Sequence, residues 1–161
     1  MFDTVLIAGL GLMGGSMAKT ITARTLSRVL GWNRTRATAE QALADGSIDA
    51  IATEALYKEA DLVIIGLYPQ ATVDWLLENM PKMKKGCVIV DMVGVKQFMV
   101  DHLEQAALDA GVHYVGGHPM AGREFSGLDF ALPTLFDGAS MIFVPTKSST
   151  ERVLEQLEAY F

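Results

Sequence analysis

The chain has 161 residues, which fits one ordinary domain, and its 50% hydrophobic and 20% charged residues are typical of a folded globular protein rather than a disordered segment. A formal net charge of −6 argues against a nucleic-acid-binding surface, because phosphate binding requires clustered lysines and arginines. The single cysteine cannot form an internal disulfide, and neither a basic leader nor an apolar run of about 20 residues is apparent, so we expect a cytoplasmic chain that does not enter a membrane.

The first predicted elements are a strand, a glycine-rich loop and a helix. Thr4–Ala8 is a short apolar run typical of a buried parallel strand, and Ser16–Ile21 has helix-compatible spacing. Between them lie six residues in the G-x-G-x-x-G pattern of dinucleotide-binding proteins, Gly9, Leu10, Gly11, Leu12, Met13 and Gly14. Gly9 would permit the tight turn, Gly11 would let a pyrophosphate approach the backbone, and Gly14 would allow close packing of the helix. The amino end of that helix would add free N–H groups and a favourable dipole.

The second predicted strand, Arg28–Trp32, ends where dinucleotide-binding proteins select their cofactor. NAD-binding chains usually carry an acidic residue there, which holds the ribose hydroxyls. This chain has Asn33, Arg34 and Thr35 instead. A carboxylate would repel a 2′-phosphate, whereas an amide beside a guanidinium and a hydroxyl would bind it. We therefore expect NADP to be preferred, with NAD possible; the alternative is that Asn33 holds the 2′-hydroxyl and the arginines are solvated.

Helices and strands alternate along the rest of the chain. The predicted helices are Thr35–Ala44, Ala71–Met80 and Val95–Ala110, and the predicted strands are Asp61–Leu67, Cys87–Asp91, Val112–Val115 and Ala139–Val144. This alternation predicts a Rossmann-like α/β fold, a parallel sheet with helices on both faces. Leu67, Tyr68 and Pro69 follow one strand, where they would either border the cofactor or form an ordinary turn. A last helix is predicted to start near Ser149, and the chain ends within it.

A glycine-rich segment, Gly117–Gly127, carries the residues best suited to chemistry. Open α/β sheets bind ligands at the carboxyl ends of their strands. His118 comes at such an end and is a candidate to accept the proton of a substrate hydroxyl, with the carboxylate of Glu124 nearby. The other histidines lack this setting, because His102 is predicted to face solvent on a helix and His113 starts a strand without obvious partners.

These motifs resemble the prephenate and arogenate dehydrogenases of tyrosine biosynthesis. The resemblance rests on Gly117–Gly127, Asp91–Lys96 and Gly138–Ile142, besides the glycine loop, and it covers the whole chain. It implies NAD(P)-dependent oxidative decarboxylation of prephenate to 4-hydroxyphenylpyruvate, or of arogenate to tyrosine. It also implies that His118 interacts with the ring hydroxyl of the substrate, and that Glu124 helps to control access to the active site and to organise it.

The resemblance implies two further features. In the family, a serine that contacts the substrate hydroxyl and the histidine often stands where this chain has Gly94, so a water or another side chain would have to orient His118. Family members also carry a helical domain after the nucleotide-binding one, which forms the dimer and supplies basic residues for the substrate carboxylates. We therefore expect residues 1–161 to be a nucleotide-binding domain truncated before that region, and the complete protein to be a homodimer.

Two other functions fit part of the sequence. The glycine loop with Asn33, Arg34 and Thr35 is also similar to β-hydroxyacid dehydrogenases and imine reductases, which are not expected to carry the segment around His118. A non-catalytic NADP-binding or redox-sensing module is the second alternative, and the presence of both His118 and Glu124 counts against it. The expected partner is a small-molecule substrate, without a metal, a nucleic acid or a membrane.

Overall fold

A seven-stranded sheet runs through the centre of the computed structural model, which describes residues 2–161. The strands are β1 (Thr4–Ala8), β2 (Arg28–Trp32), β3 (Ala50–Ile51), β4 (Leu62–Ile65), β5 (Val88–Asp91), β6 (His113–Pro119) and β7 (Met141–Val144). The helices are α1 (Leu12–Arg24), α2 (Arg36–Ala44), α3 (Glu54–Tyr57), α4 (Pro69–Asn79), α5 (Lys96–Ala110) and α6 (Glu151–Tyr160). None of the helices within residues 2–161 combines the length and the apolarity needed to cross a membrane.

The strand order is β3-β2-β1-β4-β5-β6-β7, and all neighbours are parallel except the last pair. The order reverses between β1 and β4, and such a reversal opens the ligand-binding crevice of doubly wound sheets. β7 runs antiparallel to β6, with Pro119 opposite Met141 and Gly116 opposite Val144. The expected parallel sheet is therefore confirmed for six strands, and β7 is the exception. The reason is that the chain after β6 makes no helical crossover and re-enters the sheet from the carboxyl edge.

Side chains of the central strands alternate between two hydrophobic cores. Val5 and Ile7 of β1 pack with α1, α2 and α6 on one face, whereas Leu6 and Ala8 pack with α4 and α5 on the other. All four side chains are fully buried, and burying a valine, leucine or isoleucine contributes about 1.5–3 kcal/mol each. The sequence-based expectation of helices on both faces is confirmed.

Several predicted elements have different ends in the structure. α1 begins at Leu12 rather than near Ser16, because Gly11 already occupies the N-cap position. β6 continues to Pro119, so His118 lies within a strand and not in the loop after it. The short elements β3 and α3 lack a signal in the sequence, since two and four residues are too few for a periodic pattern. α6 begins as expected, with the Thr150 side chain accepting a hydrogen bond from the backbone N–H of Val153 at 3.3 Å.

Candidate functional site

The glycine loop between β1 and α1 is packed backbone to backbone against the end of β4. Gly9 has a φ of +93°, a conformation that L side chains rarely adopt. A Cβ on Gly14 would lie 1.8 Å from the carbonyl oxygen of Gly9, and a Cβ on Gly66 would lie 3.0 Å from the Gly14 nitrogen. Gly66 was not expected in the site, although a glycine that follows an apolar strand signals a close backbone approach.

The outer side of the same loop is open. A Cβ on Gly11 would meet no atom within 4 Å. Gly11 is the N-cap of α1, no side chain caps this end, and no acidic residue stands in the first turn. The N–H groups of a first helical turn have no intrahelical acceptor, and with the helix dipole they favour an anion. The residues present therefore fit the pyrophosphate of a dinucleotide.

A cleft of about 360 Å³ brings the glycine loop together with the segment that follows β6. Its lining residues come from the loop and α1, the end of β4, the end of β5 and that segment. They are Gly11, Leu12, Met13, Gly66, Leu67, Tyr68, Met92, Gly122, Arg123, Phe125, Ser126 and Gly127. His118, Glu124 and the stretch 33–35 are not among the residues that line this cleft.

Asn33 ties the glycine loop to the end of β2. Its Oδ1 accepts a hydrogen bond from the backbone N–H of Leu10 at 2.9 Å, and its Nδ2 donates to the carbonyl oxygen of Thr35 at 3.1 Å. Only one amide hydrogen of Asn33 is left for a ligand. Thr35 is the N-cap of α2 without a side-chain cap bond, and Arg34 is exposed and forms no ion pair within residues 2–161. Arg34 is thus the group at this corner that is free to meet an anion.

Leu67, Tyr68 and Pro69 form the junction between β4 and α4. Pro69 is the first residue of the helix and Tyr68 is its N-cap, with 85% of Tyr68 exposed. The Leu67 side chain packs on the glycine loop, because its Cδ2 lies 2.7 Å from the position of a Cβ on Gly9. The junction therefore forms one wall of the cleft, with an aromatic ring at its rim.

His118 is half-buried near the end of β6 and faces the loop after β5. Its Nδ1 is buried and has no hydrogen-bond partner in the part of the chain that the structure describes. A Cβ on Gly94 would lie 3.2 Å from Cε1 of His118 and 3.6 Å from Nδ1. A side-chain hydroxyl at position 94 would come within reach of this nitrogen, so the missing partner follows directly from glycine at that position.

A buried ion pair joins the end of β5 to the first residue of α5, and a tyrosine near the start of β6 bonds to it. Asp91 is fully buried, and its carboxylate accepts hydrogen bonds from the Tyr114 hydroxyl at 2.6 Å and the Val93 N–H at 2.8 Å. Lys96 donates to the same carboxylate. Burial lowers the pKa of Lys96 although Asp91 favours its charged form, and burial followed by the charge of Asp91 raises the pKa of Tyr114.

Two glycines of β6 make room for this ion pair. A Cβ on Gly116 would lie 2.9 Å from Cδ of Lys96, and a Cβ on Gly117 would lie 2.3 Å from the backbone oxygen of Asp91. The Asp91–Lys96 motif stands out in the sequence, but its partner Tyr114 does not, because nothing local marks a tyrosine in an apolar strand as the third member.

The remaining candidate residues are exposed or tied elsewhere. The carboxylate of Glu124 is exposed and forms no ion pair within residues 2–161. His102 is exposed as expected, with its Nδ1 2.7 Å from the carbonyl oxygen of Phe98. His113 does have a partner, contrary to expectation, because its Nδ1 lies 2.6 Å from the carbonyl oxygen of Ser148.

Comparison with known proteins places the chain among relatives that are longer than it is. A family model described as "Prephenate dehydrogenase, nucleotide-binding domain" matches residues 17–161. The prephenate dehydrogenase of Bacillus subtilis (strain 168) is 36% identical over 162 residues, which cover 98% of this chain and 43% of that relative. The chain therefore spans less than half the length of this curated relative.

Two solved structures share the fold. The prephenate dehydrogenase from A. aeolicus in complex with hydroxyphenyl propionate and NAD+ aligns with a TM-score of 0.88 and 26% identity, over 99% of this chain and 56% of that chain. The Synechocystis arogenate dehydrogenase aligns with a TM-score of 0.86 and 24% identity, over 97% of this chain and 55% of that chain. The second likeness bears on the fold alone.

Proposed function

The chain belongs to the prephenate dehydrogenase family, and from that premise we propose that it is the nucleotide-binding part of an enzyme that oxidatively decarboxylates prephenate or arogenate. The observation that carries the proposal is the shared cleft, in which the glycine loop and the segment after His118 meet. Dehydrogenation requires a dinucleotide and a proton acceptor at one place, and these two motifs supply the residues for both.

The glycine loop and the end of β2 hold the dinucleotide in this proposal. The first turn of α1 receives the pyrophosphate beside Gly11, where the backbone is open. Arg34, exposed and without an ion pair in the described range, receives the 2′-phosphate of NADP. The complex of the A. aeolicus relative contains NAD+, so the preference for NADP rests on residues 33–35 of this chain. When bound, the dinucleotide supplies the hydride acceptor.

His118 serves as the proton acceptor for the substrate hydroxyl. As hydride leaves the ring carbon that bears the hydroxyl, the proton of the hydroxyl passes to the imidazole and CO2 departs, so the ring becomes aromatic. Glu124, exposed beside the cleft, controls access to it. A helical domain beyond residue 161 would complete the substrate site and form the dimer.

Calorimetric titration of the 161-residue chain with NADP+ and with NAD+ tests the cofactor half of the proposal. We expect both to bind and NADP+ to bind more tightly. Arg34→Ala should weaken NADP+ about tenfold, the loss of one charge-assisted hydrogen bond, and leave NAD+ unchanged. Arg36→Ala is the matched control, since Arg36 pairs with Glu40 on α2. Equal or tighter binding of NAD+ by the unaltered chain would refute the NADP preference.

Turnover in the longer protein tests the catalytic half. With prephenate and arogenate as alternative substrates, His118→Asn should lower kcat by about 10²–10⁴-fold, the usual contribution of a positioned base, and leave dinucleotide affinity intact. A near-normal kcat in this variant would remove His118 from the mechanism. Dinucleotide binding without turnover of either substrate would favour the non-catalytic module instead.

A further inference from the structure

Arg123 is the only ionised side chain among the described residues that line the cleft. It lies on the segment 122–127, and the glycine loop with the amino end of α1 contributes to the same lining. The neighbouring lining residues are glycines, apolar side chains, Tyr68 and Ser126, so they supply no countercharge.

The guanidinium of Arg123 packs over a pair of stacked aromatic rings, Phe125 and Phe130. Its central carbon lies 5.0 Å from the centroid of the Phe125 ring, within the range of a cation–π contact. Phe125 in turn stacks on Phe130, with ring centroids 4.7 Å apart and planes 12° from parallel. Arg123 Nη1 also donates a long hydrogen bond of 3.5 Å to the carbonyl oxygen of Phe130, which holds the guanidinium close to the same two aromatic residues.

The stacked pair of Phe125 and Phe130 is attached to α1, the helix that follows the glycine loop. Phe130 ends a short 3₁₀ turn that begins at Leu128, and Leu128 is buried so tightly on α1 that a Cβ on Gly15 would lie 2.6 Å from its Cδ1. The backbone N–H of Leu132 donates to the Ser16 hydroxyl at 3.0 Å. These contacts fix the position of the segment that carries Arg123 relative to α1.

Like Arg34 and Arg152, Arg123 has no carboxylate partner within residues 2–161. Arg24, Arg28 and Arg36 each form an ion pair with an aspartate or glutamate. A guanidinium without a carboxylate partner that shares a cleft with an uncapped helix amino end creates a region that favours an anion with several oxygens, because both present N–H donors that no carboxylate neutralises.

We propose that Arg123 binds the pyrophosphate of the dinucleotide from the side of the cleft that the segment 122–127 forms, with Phe125 and Phe130 fixing its direction. This inference rests on the proposed function, which places a dinucleotide in the cleft. The guanidinium and the first turn of α1 would then contact different oxygens of one pyrophosphate. A carboxylate of the substrate is the other anion that could meet Arg123, and the choice of probes below separates the two.

Titration of the chain with adenosine, AMP, ADP and NADP+ tests the proposal. Arg123→Gln should weaken ADP and NADP+ by about tenfold, one charge-assisted hydrogen bond, and leave adenosine unchanged. Arg123→Lys, which keeps the charge but loses the planar fork, should fall between the two. Phe125→Leu should weaken ADP less than Arg123→Gln does. Arg152→Gln, an exposed arginine of α6 away from the cleft, is the control for the loss of one positive charge.

The outcomes are separable. If the unaltered chain binds ADP and NADP+ but Arg123→Gln binds them equally well, the inference is wrong, the dinucleotide site stands, and the substrate carboxylate becomes the anion to test. Equal weakening of adenosine and ADP would also overturn it, because that result indicates a structural role for Arg123. If the unaltered chain binds no nucleotide, the proposed cofactor function fails together with the inference.

Discussion

Two regions border the cleft, and they are built in opposite ways. The framework consists of the glycine loop, Gly66 and the ion pair of Asp91 with Lys96, and its backbones and charges are buried against each other. The segment 120–127 is almost entirely exposed and has one aromatic stack instead of a core. The framework therefore fixes the backbone around the cleft, whereas the segment presents exposed side chains to it. Changes at the closely packed positions of the framework should therefore lower stability, and changes near the segment should lower binding or chemistry alone.

Removing the buried ammonium is expected to have the largest effect. Lys96→Met leaves the fully buried Asp91 carboxylate without its countercharge, and breaking such a pair lowers the free energy of unfolding by about 3–5 kcal/mol. Urea denaturation would measure the loss. The double variant Asp91→Asn with Lys96→Met removes both charges and should recover much of it. A single variant as stable as the unaltered chain would contradict the assignment of this pair to the framework.

The glycine loop allows a sharper test, because two of its glycines differ in surroundings. Gly14→Ala places a Cβ 1.8 Å from the Gly9 carbonyl and should lower stability by about 1–3 kcal/mol or more. Gly11→Ala meets no atom within 4 Å, so its unfolding midpoint should stay close to that of the unaltered chain while its affinity for NADP+ falls. Thermal melts and titrations on the same preparations would separate the effects. Similar melting temperatures for both variants would go against the close packing at Gly14.

Gly94→Ser should have a smaller effect that is confined to His118. The new hydroxyl would reach the buried Nδ1 after the ring shifts by a few tenths of an ångström, and one such hydrogen bond contributes about 0.5–1.5 kcal/mol. Nitrogen chemical shifts of the imidazole would report the bond. Gly94→Ala supplies the Cβ without the hydroxyl and is the matched control. Identical imidazole spectra for the serine and alanine variants would mean that position 94 does not orient the ring.

The smallest effect is expected at Asp61, which directly precedes β4 and lies at the amino ends of the strands, away from both regions. Burial alone would raise the pKa of the Asp61 carboxyl, but hydrogen bonds from Lys84 and from the N–H groups of Thr4 and Asp3 outweigh it and hold the pKa below 3.8. A lowered pKa stabilises the fold above the unfolded value, and this stabilisation is lost as the pH falls through the folded value.

Unfolding of the chain should therefore become easier below about pH 4. Asp61→Asn should flatten that dependence, whereas Glu155→Gln, a change of the same charge on an exposed residue of α6, should not. Urea midpoints measured across the acid range would show the difference. An unchanged acid dependence in Asp61→Asn would exclude the carboxylate as its source.

The framework was largely predictable from sequence, and the segment was not. Alternating apolar runs and helical periods identified the α/β fold, and the comparisons confirm both the fold and the family resemblance. The G-x-G-x-x-G pattern predicted the strand, loop and helix because Gly9 adopts a positive φ and Gly14 lies directly against the Gly9 backbone, both local steric requirements. The direction of β7, the role of Gly66 and the partnership of Tyr114 with Asp91 depend on contacts between residues distant in sequence, which no local pattern encodes.

The same limit applies to site chemistry. Asn33 was expected to face the ribose, yet its carbonyl holds the glycine loop, because an unpaired Leu10 N–H at that turn would otherwise lack an acceptor. Arg123 stands in a motif that drew attention to the histidine and the glutamate, and only the stacking of Phe125 on Phe130 indicates a direction for the guanidinium. The role of His118 is a prediction that the His118→Asn variant tests, and the role of Glu124 stays a prediction.

The antiparallel pairing of β6 with β7 makes the stretch between them, residues 120–140, a loop whose two ends are held together by the sheet. Pro119 opposite Met141 fixes the distance between its two ends, and Leu128 against Gly15, together with the Leu132 N–H on the Ser16 hydroxyl, holds its middle against α1. Substitutions at residues 120–126 should therefore leave the strand register and the cores on both faces intact, whereas Gly127, with a φ of +93°, should stay glycine. A library randomised over residues 120–126, on an otherwise unaltered chain, should yield mostly folded proteins that differ in what they bind.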